Sequence, residues 1–188
     1  MNILETIDTP IGSYAPDFEL PGIDGRVHHL SRYLENSRSV CVISMCNHCP
    51  YVDGYIDRLK NIQAEFSPSN FTLIGLNGSD VNSGEDINAG SNFEDMKVFS
   101  QRHELSFPYL WDTTQDVTRS FGAISTPTAF LIDNEGILRY KGQIDDHPQD
   151  PSATGVDYLR NAIASLFQGQ EIQPAQTQQV GTPLVWRK

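Results

Sequence analysis

Two short apolar runs, SVCVISM at 39–45 and FTLIGLN at 71–77, constrain this chain more than any other feature. Each is almost continuous in hydrophobicity, the pattern of a strand covered on both faces. Between them, YVDGYIDRLKNIQAEF (51–66) sets Val52, Ile56, Leu59 and Ile62 at three- and four-residue steps, which gives a helix one apolar face. SPSN breaks that helix before the second run. Strand, helix, strand with short connections predicts a right-handed parallel unit. Cys46-Asn47-His48-Cys49 then falls at the carboxyl end of the first strand, the edge where open α/β sheets place their sites.

The rest of the chain extends this unit. FEDMKVFSQRHE (93–104) predicts a helix with Phe93, Met96 and Phe99 on one side, and QDVTRSFG a short helix closed by Gly122. TAFLID and ILRYKGQID flank Asn134-Glu135-Gly136, a hairpin signal. VDYLRNAIASLFQG (156–169) is a final amphipathic helix. APDFELPGIDGRVHHLSRY predicts a small N-terminal hairpin, GSDVNSGEDINAGSN (78–92) a polar surface insertion, and QEIQPAQTQQVGTPLVWRK an irregular tail. The expected fold is α/β: a central mixed sheet flanked by helices in thioredoxin-like order. One domain covers 1–188, with a core of about 14–169 and a tail of 170–188.

Composition narrows the function. Thirteen basic against 24 acidic residues give a net charge of -11, which repels phosphate backbones and anionic lipid. No apolar run approaches the roughly 20 residues of a membrane helix. The N-terminus has neither the basic start nor the apolar core of a secretory signal. The expectation is a cytoplasmic protein, or a periplasmic one if a signal peptide has been removed. Three cysteines are too few for a disulfide framework, so the close pair reads as redox or metal chemistry. Structural zinc wants four ligands, and the sequence supplies one close cysteine pair. Asp145, Asp146, His147 and Asp150 read as a solvated loop, His28, His29 and His103 as surface or packing residues, and Cys41 as a small buried hydrophobe. No metal or cofactor is assigned.

In the dithiol motif, Cys46 at the helix start is expected to attack, because the positive end of a helix stabilises a thiolate. A protonated His48 would add to that effect. Cys46 should then be more acidic than a free thiol at ~8.5, and its disulfide the better oxidant. Cys49 is expected deeper, as the resolving thiol, and Pro50 in the first helical turn.

MCNHCPYVDGYIDRL, PYLWDTTQDVTRSFGAISTP, AFLIDNEGILRYKGQIDD and the VWRK end carry a more specific likeness, which runs from APDFELPGIDG to about residue 169. The chain resembles thioredoxin-like proteins of the redoxin group, which also holds the peroxiredoxins, and is most similar to a bacterial subgroup with CNHCPYV after the first core strand. The resemblance implies a thiol–disulfide oxidoreductase that acts on protein disulfides with a thiol electron donor or acceptor. It also implies a cis peptide at Pro127 facing the dithiol, with backbone open to an extended substrate. Thr126 and Asn47 become candidate substrate contacts, Asn47 also shaping the turn. This sequence departs from the pattern in three places. Val40 stands where thioredoxins often bury an aspartate, and Ser125 and Thr182 stand near positions where relatives often carry cysteine. Shuttling therefore rests on one dithiol. The alternatives are a thiol-dependent peroxidase and a metal-binding, copper-chaperone-like protein. The peroxidase reading wants threonine or serine three residues before its cysteine, where Ile43 precedes Cys46.

Overall fold

The computed structural model describes residues 8–80 and 92–187, so most of the expected insertion at 78–92 lies outside the described residues. The N-terminal hairpin is β1 (Glu19–Pro21) paired antiparallel with β2 (Val27–His29), and it leads into helix α1 (Leu30–Asn36). The two apolar runs form β3 (Ser39–Met45) and β4 (Phe71–Asn77), parallel from Ser39 opposite Phe71 to Met45 opposite Asn77. Helix α2 (Pro50–Phe66) joins them, with Pro50 in its first turn, where the missing N–H leaves no intrahelical bond unmade. Next come α3 (Asn92–His103), β5 (Tyr109–Trp111) and α4 (Asp116–Phe121). Gly122 ends α4 in the left-handed conformation, at φ 78°. A short strand, β6 (Ser125–Thr126), precedes the hairpin of β7 (Thr128–Asp133) and β8 (Leu138–Gly142). Helix α5 (Tyr158–Phe167) is two residues shorter at each end than its sequence pattern, and β9 (Thr182–Pro183) lies in the tail.

The main sheet runs β5-β4-β3-β7-β8, parallel across its first three strands and antiparallel across the rest. This is the mixed, helix-flanked sheet expected from sequence. Alternation along β3 divides the core. Cys41, Ile43 and Met45 face the side covered by α2, α3 and α5, while Val40 and Val42 pack with Leu30, Phe121 and Leu184 on the other. Cys41 is fully enclosed, and burial pushes its thiol well up. On α2 the predicted face, Val52, Ile56, Leu59 and Ile62, is buried together with Tyr55. Each such side chain contributes about 1.5–3 kcal/mol on burial. That face fixes the helix on the sheet, and with it the turn that precedes the helix.

Two expectations need correction. The tail is not merely irregular but is fastened along its length. Leu184 is buried in the second core cluster, and its N–H donates to the Ile124 carbonyl at 3.0 Å. The Gln179 side chain accepts from the Ile124 N–H at 2.9 Å and donates to the Gly122 carbonyl at 2.8 Å. The buried Gln115 amide donates to the Gly78 and Val185 carbonyls at 2.7 and 2.8 Å, and accepts from the Arg187 N–H at 2.9 Å. Asp145, expected in a solvated loop, is 1% exposed. It accepts from the Tyr55 hydroxyl at 2.7 Å, Arg58 Nη1 at 2.6 Å and the His147 N–H at 2.9 Å. A carboxylate with this many donors is stable inside because each lone pair meets a partner. The rest of that loop, His147 and Asp150 included, stays at the surface.

Candidate active site

The dithiol turn forms where β3 leaves the sheet. Met45 is the last paired residue, the chain reverses through Cys46-Asn47-His48, and α2 begins only after Cys49, its N-cap. This corrects the expected placement: Cys49, not Cys46, stands at the positive end of the helix. Cys46 is also not openly exposed. It retains 6% of its surface against none for Cys49.

A buried polar network holds the turn against the sheet. Asn47 Oδ1 accepts from the Tyr109 hydroxyl at 2.7 Å and from Asn77 Nδ2 at 3.3 Å, and Asn77 Nδ2 also donates to the Tyr109 oxygen at 3.1 Å. Asn47 is buried, and its side-chain oxygen ties the turn to β4 and β5. Burial holds the Tyr109 phenol protonated, and its nearness to the charge of the dithiol adds to that.

Thr126 closes the other side. Its hydroxyl donates to Cys46 Sγ at 3.5 Å, and its carbonyl oxygen lies 3.3 Å from Cys49 Sγ. The Thr126–Pro127 peptide is cis. Position 126 thus meets both sulfurs across 80 and 77 residues of sequence.

The edge beside Thr126 is not open. β9 pairs antiparallel with β6, Thr126 opposite Thr182 and Ser125 opposite Pro183. A Cβ on Gly181 would lie 2.1 Å from the Thr126 carbonyl oxygen, so only glycine lets the tail pass this close. The tail also brings in Thr182, noted from sequence only as standing near a position where relatives often carry cysteine: its Oγ1 accepts from the Cys49 thiol at 2.9 Å. No spacing or periodicity in the sequence points to it, because the contact spans 133 residues.

The electrostatics follow from this geometry. The two thiols hydrogen-bond to each other, and that bond is the largest influence on both. It holds Cys49 below the ordinary thiol value against the cost of burial, with help from the Thr126 and Thr182 hydroxyls and the Val52 amide at the helix start. It pushes Cys46 up, and burial pushes it further. The directions of the two shifts make Cys49, and not Cys46 as expected, the sulfur on which a negative charge is the better held. The His48 ring is 65% exposed and lies 3.8 Å from Asp95 Oδ2, while the His48 backbone amide bonds to Cys46.

Among the described residues, no group of three or more His, Cys, Asp or Glu side chains is placed to hold a metal ion. Nor is any helix among them long and apolar enough to cross a membrane.

Residues 11–141 match the model of the AhpC/TSA family. A thiol-disulfide oxidoreductase, ResA, of Geobacillus thermodenitrificans (strain NG80-2) is 28% identical over 132 residues, 69% of this chain and 67% of its own. The crystal structure of a hypothetical protein from Sinorhizobium meliloti 1021 superposes with a TM-score of 0.85 at 26% identity, covering 96% of both chains. The crystal structure of a putative thiol:disulfide interchange protein, DsbE, from Chlorobium tepidum superposes with a TM-score of 0.63 at 21% identity. That match covers 86% of this chain and 98% of the other, and shows the shared fold.

Proposed function

The chain belongs to the AhpC/TSA family, and on that premise we propose that it is a thiol–disulfide oxidoreductase working through the Cys46/Cys49 dithiol on protein disulfides. The observation that carries the reading is the pair itself: two thiols hydrogen-bonded to each other, one slightly exposed and one enclosed, both against Thr126.

In the reducing direction Cys46 passes its proton to the Cys49 thiolate along their hydrogen bond and attacks one sulfur of the substrate disulfide. A Cys46–substrate mixed disulfide forms and the other substrate sulfur leaves as a thiolate, which takes up the proton. Cys49, deprotonated again, attacks Cys46 Sγ, closes the 46–49 disulfide and releases the second substrate thiolate. Two electrons pass from the dithiol to the substrate. The enclosed thiolate serves as the internal base for the proton transfer. Pro127 and Thr126 frame the sulfurs, Asn47 holds the turn, and His48, when protonated, adds positive potential on its outer side. With β9 already on the Thr126 edge, the partner's cysteine reaches Cys46 without adding a strand at that edge.

Insulin reduction by the wild type and by Cys46→Ser, Cys49→Ser and His48→Ala variants tests this assignment. Cys49→Ser should accumulate a mixed disulfide through Cys46, Cys46→Ser should be inert, and His48→Ala should react with an altered pH profile. Trapping through Cys49 instead would reverse the roles, and an unchanged pH profile would remove His48 from the mechanism. Fast hydrogen peroxide consumption with no insulin reduction would favour the peroxidase reading.

A further inference from the structure

We propose that Thr182, brought in by the tail strand, is a positioning residue for the exchange reaction: its hydroxyl fixes the Cys49 sulfur and takes up the charge that gathers there when an external thiolate opens the 46–49 disulfide. The inference rests on the oxidoreductase reading and adds to it a residue from outside the dithiol motif.

The contact is a built one. Thr182 Oγ1 lies 2.9 Å from Cys49 Sγ, opposite Thr126 in the β6–β9 pair. The strand that carries it is held on both sides. Gly181 fits against the Thr126 carbonyl with no room for a side chain, and Leu184 is buried in the core two residues after Thr182. Gln179 ties the preceding residues to Gly122 and Ile124, and Gln115 ties those that follow to Gly78. Thr182 is thus pinned from before and after, and its side chain ends on the enclosed sulfur.

The chemistry uses both faces of a hydroxyl. In the dithiol the Cys49 thiol donates to Thr182 Oγ1. Once Cys49 is a thiolate, the same hydroxyl turns about its C–O bond and donates to the sulfur, as a charge-assisted hydrogen bond. In the oxidising direction, a substrate thiolate attacks Cys46 Sγ. The Cys46–Cys49 bond breaks, its electron pair leaves on Cys49 Sγ, and a Cys46–substrate mixed disulfide forms. A second substrate thiolate then displaces Cys46, which takes a proton from the medium. The substrate dithiol has lost two electrons and the protein has gained them. A leaving thiolate that is better stabilised leaves faster and makes its disulfide the stronger oxidant. Thr182 acts at that point. Its hydrogen bond is also among the influences that lower the Cys49 thiol. The titratable groups facing Cys49 are Cys46, beside it on the turn, and Tyr109 from β5, with His48 and Asp95 on the outer side.

Thr182→Val keeps the shape and removes the hydroxyl, and Thr182→Ser restores the hydroxyl without the methyl group. Two readouts apply to each: ultraviolet titration of the thiolate in the reduced protein, and the equilibrium of the 46–49 pair with glutathione. Thr182→Val should titrate about one pH unit higher and reach a reduced-to-oxidised ratio about tenfold lower at fixed glutathione poise. Thr182→Ser should stay within about twofold of the wild type. An unshifted Thr182→Val overturns the proposal. So does a Thr182→Ser protein displaced as far as the valine variant, which would assign the effect to methyl packing. A wild-type protein with no glutathione-sensitive 46–49 disulfide would instead overturn the oxidoreductase reading itself.

Discussion

Replacing Cys46 with alanine removes the strongest influence that holds the Cys49 thiol down. A hydrogen bond to a charged group contributes about 1.5–3 kcal/mol, and about 1.4 kcal/mol moves a titration by one pH unit. In the intact dithiol the hydrogen bond from Cys46 holds Cys49 below the ordinary thiol value. In Cys46→Ala it should therefore titrate about one to two pH units higher. It should not return to the free-thiol value of ~8.5, because the Thr126 and Thr182 hydroxyls and the Val52 amide remain. Ultraviolet thiolate absorbance of the reduced variant against pH reads this directly, since burial keeps Cys41 protonated throughout. The linkage to stability has a definite sign. Folding lowers this acid, so its contribution is fully present above the unfolded thiol's ~8.5. That contribution is lost as pH falls through the lowered folded value. In Cys46→Ala the window narrows from its lower end, and urea midpoints measured across it should show less pH dependence. A titration curve unchanged from wild type would refute the claim that the Cys46 thiol donates to Cys49.

Two further outcomes test the frame around the site. Asp145→Ala leaves the Arg58 guanidinium and the Tyr55 hydroxyl without their shared acceptor, and urea unfolding should show a loss of about 3–5 kcal/mol. A loss below about 1 kcal/mol would mean that water replaces the carboxylate without strain. Gly181→Ala places a carbon 2.1 Å from the Thr126 carbonyl oxygen, so β9 must lift. Trp186, which packs with the second core cluster beside Leu184, should then become more accessible to acrylamide quenching, and unchanged quenching would show that the pair shifts without separating.

The parts of this fold that were legible in the sequence are those that write a period into it. β3, α2 and β4 announce themselves because a doubly covered strand is apolar throughout and an amphipathic helix repeats every three or four residues. The dithiol was legible as a motif, and so was its place at the carboxyl edge of the sheet. Which sulfur better holds the charge was not, because it depends on how the two thiols bond to each other and on Thr126 and Thr182, 77 and 133 residues away from Cys49. Setting Cys46 at the helix start gave it the dipole that belongs to Cys49, the N-cap. Asp145 looked solvated because its partner, Arg58, lies 87 residues earlier on another element. The tail looked irregular because glutamine side chains hold it through backbone carbonyls and amides, and such bonds leave no pattern in hydropathy.

The pairing of Thr182 with Cys49 has a temporal side. During synthesis the cysteine leaves the ribosome 133 residues ahead of the hydroxyl that completes its surroundings, an interval of roughly 7–27 s at ordinary elongation rates. Through that interval the nascent dithiol lacks the partner that steadies its inner sulfur, so it is exposed to oxidants and stray thiols on different terms from the finished protein. Full reactivity is a property that the polypeptide acquires late, when β9 reaches its place.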